Sequence, residues 1–153
     1  MTGALVSASH SLSLPEEGRR PKVVVTTVSS DAHTWNLVWL QMVLEEHGCN
    51  VTNLGPCVPD ELVIATCLTC KPKLLVVSSV NGHGAIEGRR LMRRLRQTPG
   101  LEDIKAVIGG KLGISGELSQ CEIRSLLEAG FDLVINDSND PDLKQVKALI
   151  GNR

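Results

Sequence analysis

The chain has 153 residues, 42% hydrophobic and 22% charged with 14 Gly and 7 Pro, which suits one compact domain and excludes a wholly disordered or collagen-like chain. Its formal net charge of -1 lacks the cationic excess with which a nonspecific nucleic-acid binder displaces counterions from phosphates. No uncharged run approaches the ~20 residues that span a bilayer, and no basic segment followed by a continuous apolar one opens the chain, so a cytoplasmic protein is expected.

Residues 1–20 mix Ser, Gly and charge without a sustained period and read as a flexible leader ahead of a single domain over 21–153. From Lys22 onward, apolar runs of strand length alternate with amphipathic stretches of helix length. Lys22 to Val28 (KVVVTTV) is β-branched nearly throughout, as suits a central parallel strand covered on both faces. Trp35 to His47 supplies a helix with Leu37, Leu40 and Leu44 on one stripe and Gly48 placed to stop it. Asn50 to Leu54 is a short strand, followed by a helix from about Pro59 to about Cys70, with the proline in its first turn. Leu74 to Ser79 forms the third strand, and Ala85 to Gln97 the third helix, closed by Thr98, Pro99 and Gly100. Lys105 to Ile108 and about Glu117 to Ala129 make the fourth pair, ended by Gly130. Asp132 to Ile135 is the last strand, and Asp140 caps a helix with Pro141 at its first position and Leu143, Val146 and Leu149 on its apolar stripe.

Regular alternation of buried strands and helices implies an α/β, flavodoxin-like (Rossmann-like) fold: a five-stranded parallel sheet of order 2-1-3-4-5 with helices on both faces. In that order ligands lie beyond the carboxyl ends of the strands, near the switch between strands 1 and 3. Three loops converge there: Ser29-Ser30-Asp31-Ala32-His33-Thr34, Ser78-Ser79-Val80-Asn81-Gly82-His83-Gly84 and Gly109-Gly110-Lys111-Leu112-Gly113. Their glycines permit positive φ and close approach of a ligand to backbone.

Asp31 and His33 are two apart, so an extended stretch places both side chains on one side. The carboxylate then accepts the proton of one ring nitrogen and leaves the other as a base or metal ligand. A capping-and-solvation role for the pair stays open. A zinc site needs three or four protein ligands, so His83 would have to join from the neighbouring loop. Cys67 and Cys70 have C-x2-C spacing but no second pair, and read as small buried hydrophobes; the five cysteines are an odd number in apolar contexts, expected as reduced thiols. Ser78 and Ser79 lack a G-x-S-x-G frame and fit ligand-binding hydroxyls better than a nucleophile. A phospho-receiver shares the topology but would cluster acids after strand 1 and place a lysine after strand 5, where Asp31 is alone and Asn136 follows instead. The aromatic residues are Phe131, Trp35 and Trp39 with no Tyr, so no platform for stacking bases exists. Trp35 and Trp39 are assigned to core packing in preference to covering a cleft. Arg89, Arg90, Arg93, Arg94 and Arg96 read as a solvated helix face, with partner docking as the alternative.

Taken together, Asp31-Ala32-His33-Thr34-Trp35-Asn36, Ser78-Ser79-Val80 and Gly109-Gly110 resemble the D-x-H-x-x-G, S-x-L and G-G pattern of the small, cobalamin-binding subunit of glutamate mutase and related B12-binding domains. The resemblance runs over about Lys22 to Ile150. It implies that His33 replaces dimethylbenzimidazole as the lower ligand of cobalt, with Asp31 hydrogen-bonded behind it. The displaced nucleotide tail would run down a cleft beside strand 1, past Ser78 and Val80, with Gly109 and Gly110 giving it room. Ser30, Thr34, Asn36, Lys111 and Leu112 complete the implied cofactor-binding set, and the implied cofactor is adenosylcobalamin. One histidine suffices because the corrin supplies four equatorial nitrogens. Two departures stand out: Val80 for leucine, and Asn36 for glycine, whose side chain sits where the tail would be admitted and can bond it or obstruct it.

The resemblance further implies a larger barrel-shaped catalytic mutase subunit as partner, an isolated chain without activity, and a radical rearrangement of L-glutamate to threo-3-methylaspartate shielded from water on docking. Asn81 and His83 face that partner or the corrin edge, or belong to a solvated loop. Two other readings remain: a non-enzymatic cobalamin-sensing module, and the corrinoid carrier of a methyltransferase. The chain length, which leaves no space for a fused effector or a helical cap domain, favours the mutase component.

Overall fold

The computed structural model describes residues 20–113, 117–135 and 143–151. The expected leader, apart from Arg20, and the expected Asp140–Pro141 helix start lie outside the described residues. Five strands, β1 (Lys22–Thr26), β2 (Asn50–Asn53), β3 (Leu74–Ser79), β4 (Lys105–Gly110) and β5 (Leu133–Ile135), alternate with α1 (Trp35–Glu46), α2 (Asp60–Cys70), α3 (Gly84–Arg96), α4 (Gln120–Ala129) and α5 (Lys144–Gly151). All four strand pairings are parallel, in the order β2-β1-β3-β4-β5. The flavodoxin-like topology expected from the alternation is the one observed.

Because strand side chains alternate, the apolar runs feed two cores. Val24, Leu75, Val77, Ala106 and Ile108 pack against Val63 and Cys67 of α2, Leu91, Met92 and Leu95 of α3, and Leu126 of α4. Val23, Val25, Leu74, Val76 and Val107 face the other way, against Leu37, Leu40 and Leu44 of α1 and Val146 and Ile150 of α5. Each fully buried aliphatic side chain contributes roughly 1.5–3 kcal/mol, which makes this double-sided burial the force that assembles the sheet. No helix among the described residues is long and apolar enough to cross a membrane.

Several boundaries differ from the sequence pattern for identifiable reasons. The ladder of β1 stops at Thr26, whereas β4 runs on through both glycines to pair Ser79 with Gly110. Helix α4 begins later than Glu117 because Ser119 forms a capping box: its hydroxyl accepts from the Glu122 N–H while the Glu122 carboxylate accepts from the Ser119 N–H. Leu143 has φ 54 and precedes the helix instead of joining it, although its side chain remains buried. Helix α3 starts at Gly84, where a Cβ would lie 2.8 Å from both Ser79 Cβ and Leu112 Cδ2. Only glycine lets the first turn of α3 rest on the end of β3.

Two expectations are overturned. Trp35 and Trp39 are 85% and 46% exposed, not core. Helix α1 is apolar on both sides, and its sheet-facing positions are taken by Leu37, Leu40 and Leu44, so Trp35, Val38, Trp39 and Met42 face outward. The arginines of α3, in turn, are not merely solvated. Arg90 spans both oxygens of buried Asp60 at 2.7 and 3.0 Å, and Arg94 reaches Asp60 and Glu61. Arg96 donates to the carbonyls of Leu101 and Gly130, and Arg89 to Ser125. Helix α3 lies between α2 and α4, so its flanks meet neighbours that a helix read in isolation does not show.

Candidate functional site

The site grows from the turn after β1. Val28 is buried in the α2/α3 core and its carbonyl accepts the Asp31 N–H at 3.1 Å, closing the turn at Ser29-Ser30. Asp31 is fully buried, and its carboxylate accepts four hydrogen bonds. Oδ1 takes the His33 backbone N–H at 2.9 Å and lies 2.6 Å from His33 Nδ1; Oδ2 takes the Ser79 hydroxyl and the Val80 N–H, each at 2.8 Å. Burial by itself would raise the Asp31 pKa, but the donors from His33, Val80 and Ser79 outweigh it and hold the group at about 2. A carboxylate so firmly ionised is an acceptor, which places the imidazole proton on Nδ1 and the lone pair on Nε2. The His33 side chain is 60% exposed, and Nε2 has no hydrogen-bond partner among the described residues. The D-x-H pair is thus a fixed imidazole with one nitrogen anchored and the other available as a ligand.

A second layer holds the turn. Glu87, buried in the first turn of α3, accepts from the Ser29 hydroxyl at 2.6 Å and from the Ser30 hydroxyl on its other oxygen. Burial opposes its charge, yet these two hydroxyls and the Arg90 guanidinium draw its pKa below the ordinary carboxylate value. Asn81 donates to Ser30 at 2.9 Å while its own oxygen accepts from the His83 N–H and lies 3.2 Å from the Ser79 hydroxyl, whose proton goes to Asp31. The Cys57 N–H reaches the Asp31 carbonyl at 2.8 Å and ties in the loop after β2.

Beside the imidazole, on the sheet face shared by α1 and α5, lies a row of small and polar positions. Ser78 pairs with Gly109 and Gly109 with Ile135. Since Thr26 pairs with Val77, and Val24 and Val28 both enter the opposite core, Thr27 continues this row next to Ser78. The Thr27 Oγ1 is buried without a hydrogen-bond partner among the described residues, an omission that ordinarily costs about 1–3 kcal/mol. The Ser78 hydroxyl accepts from Asn36 Nδ2 at 2.8 Å, across from the start of α1. A Cβ on Gly109 would meet Ile135 Cβ at 3.4 Å, whereas Gly110 has φ 111 and its Cβ would collide with the Ser79 carbonyl. Gly110 therefore has a backbone reason to be glycine in addition to any ligand.

The expected set gathers unevenly. Ser30, Asp31, His33, Thr34, Asn36, Ser78 and Val80 come together at the carboxyl edge of β1 and β3. Thr34 occupies the N-cap position of α1 without a side-chain cap bond. Lys111 is exposed and engages Gly82 through its carbonyl, and Leu112 is fully buried in the α2/α3 core against Gly84, away from the Ser78 row. No group of three His, Cys, Asp or Glu among the described residues is arranged to hold a metal ion. Cys67 is buried and Cys70 partly so; burial, then the neighbouring Cys70, push the Cys67 thiol up to about 12, as befits a small hydrophobe. Glu87, Asp60 and Thr27 carry no sequence signal for the site, because each acquires its role from an element distant in the chain.

Residues 21–135 match the family described as B12 binding domain. The chain is 31% identical over 128 residues to a glutamate mutase sigma subunit of Carboxydothermus hydrogenoformans, covering 83% of this chain and 91% of that one. It is 30% identical over 115 residues to a glutamate mutase sigma subunit of Fusobacterium nucleatum, covering 75% and 84%. Among solved structures, a cobalamin-binding protein from Desulfitobacterium hafniense superposes with a TM-score of 0.67 at 22% identity, over 86% of this chain and 60% of that one, which shows a shared fold.

Proposed function

This chain belongs to the family of B12-binding domains that includes the glutamate mutase sigma subunits, and from that membership we propose that it is the adenosylcobalamin-carrying component of a glutamate-mutase-like isomerase. Its residues 21–153 form the cofactor-binding unit. A larger, barrel-shaped catalytic subunit supplies the substrate site for interconversion of L-glutamate and threo-3-methylaspartate, and this chain alone is inactive.

The residues fit the cofactor on the chemistry of their donors. When bound, cobalamin supplies a cobalt–carbon bond whose homolysis initiates radical rearrangement. His33 Nε2 is the ligand for cobalt, and Asp31 fixes the ring tautomer and raises its donor strength. Glu87 and Asn81 hold the turn that carries them. Thr27 and Ser78 offer hydroxyls to a polar nucleotide tail, with Gly109 leaving space between them and β5. Val80, Ser30 and Thr34 flank the imidazole, whereas Leu112 is committed to the α2/α3 core and lies outside the tail row. A cytoplasmic setting accords with Cys49, Cys57, Cys67, Cys70 and Cys121 all being free thiols.

The observation that carries the reading is a half-exposed imidazole pinned at Nδ1 by a buried, fourfold hydrogen-bonded carboxylate. It is tested by titrating the protein with adenosylcobalamin and following absorbance. With His33 on cobalt the bound cofactor is expected to keep the spectrum of a nitrogen-ligated corrinoid and to turn base-off in His33→Ala; a His33→Ala complex that keeps the nitrogen-ligated spectrum overturns the assignment. Co-purification then separates the alternatives, since a mutase catalytic subunit supports the proposal and a methyltransferase or a regulatory protein contradicts it.

A further inference from the structure

We propose that Asn36 is a latch across the nucleotide-tail groove, so that this chain discriminates between corrinoids with and without a tail through a bond that must open before the tail can lie down. The inference rests on the cobalamin reading above and adds a residue-level control of it. Asn36, the second residue of α1, reaches from the helix to the sheet and donates to Ser78 Oγ at 2.8 Å, joining positions 42 residues apart. Ser78 is itself 7% exposed, and its hydroxyl is held by this amide.

The row beneath the latch holds a polar atom without a partner among the described residues. Thr27, one residue beyond the last β1–β3 pair and on the Ser78 side by strand alternation, is fully buried, and its Oγ1 has no hydrogen-bond partner among the described residues. A buried hydroxyl without a partner is uncommon in a folded protein and points to a ligand atom or a water in that place. Gly109 on the other side of Ser78 contributes no side chain. A tail following this row has to displace the Asn36 amide from Ser78 to reach Thr27. The corrin alone can meet His33 Nε2 without touching the row.

The consequence is a selective handicap. A neutral hydrogen bond of ordinary net strength corresponds to roughly a two- to tenfold effect on affinity, and it falls only on ligands that carry a tail. The test compares Kd values, by absorbance titration, for aquocobalamin and for aquocobinamide, the same corrin without its nucleotide. Asn36→Ala, which suits a helix, and Asn36→Gly are measured beside the wild-type protein. Both variants are expected to bind aquocobalamin roughly two- to tenfold more tightly with aquocobinamide unchanged, and the effect should vanish when Asn36→Ala is made in a Ser78→Ala background. Weaker binding of aquocobalamin alone would make Asn36 a tail ligand and overturn the latch, as would equal shifts for both corrinoids or no shift at all. Failure of the wild-type protein to bind either corrinoid would instead overturn the cobalamin reading, and the latch with it.

Discussion

Replacing Asp31 with Asn removes one charge and converts an acceptor into a donor at the centre of the site. The wild-type carboxylate accepts from two backbone N–H groups, the Ser79 hydroxyl and the His33 ring. An amide can accept on one oxygen only, and its NH2 then faces two donors, either those of His33 or those of Ser79 and Val80. The depression of the Asp31 pKa from 3.8 to about 2 sets the scale: folding favours the ionised form over the neutral one by about 2 kcal/mol relative to the unfolded chain. The amide adds the opposed donors to that loss, so Asp31→Asn should lower unfolding free energy by roughly 2–4 kcal/mol, a large part of the ordinary 5–15 kcal/mol. Urea titration measures it through the midpoint at unchanged slope. The pH dependence carries the sign. A depressed carboxylate contributes its full stabilisation above its unfolded value near 3.8 and loses it as pH falls towards 2. The difference in stability between the two proteins should therefore be constant above pH 4 and shrink between about pH 4 and 2. A variant as stable as the wild type, or a difference that does not change with pH in that window, would refute the assignment of a buried charge to Asp31.

Four other outcomes follow from the same geometry. Glu87→Ala should speed amide hydrogen exchange at residues 29–33 while leaving the α4 amides protected, because the Ser29 and Ser30 hydroxyls lose their common acceptor. Gly110→Ala should be destabilising by several kcal/mol in denaturant melts, since φ 111 and the Ser79 carbonyl both reject a Cβ; Gly109→Ala, with a contact of 3.4 Å to Ile135, should be far milder. Arg90→Met should cost about 2 kcal/mol by leaving Asp60 dependent on Arg94, and Asp60→Asn in the same chain should recover part of it. Trp35, exposed two residues from His33, should be quenched freely by acrylamide and lose emission when cobalamin is added; unchanged emission at saturation would place the corrin elsewhere.

The parallel sheet was legible because burial on both faces leaves a distinct trace: KVVVT and LLVVSS have no polar alternation, and a sequence of such runs separated by helix-length stretches admits few topologies. The Asp31–His33 pair was legible for a local reason, as residues two apart in extended chain meet without help from the rest of the fold. What lay outside the sequence was everything made by distant partners. Asp60 and Arg90 are 30 apart, Ser30 and Glu87 57 apart, and nothing in the run of arginines distinguishes a solvated face from one that meets α2 and α4. The tryptophans misled because aromatic side chains at helical spacing usually mark a core, and in α1 three leucines already fill the inward stripe. Asn36 could be recognised as a departure from glycine, but whether it crosses to Ser78 depends on the separation of α1 and β3, which only the folded chain supplies.

Electron paramagnetic resonance of the cob(II)alamin complex tests the central claim most directly, using protein labelled uniformly with 15N and unlabelled cofactor. If His33 Nε2 binds cobalt, the superhyperfine triplet of a 14N axial ligand in the unlabelled complex becomes a doublet in the labelled one and is lost in His33→Ala. A triplet that persists in labelled protein would mean that the cofactor keeps its own dimethylbenzimidazole, and would contradict the account.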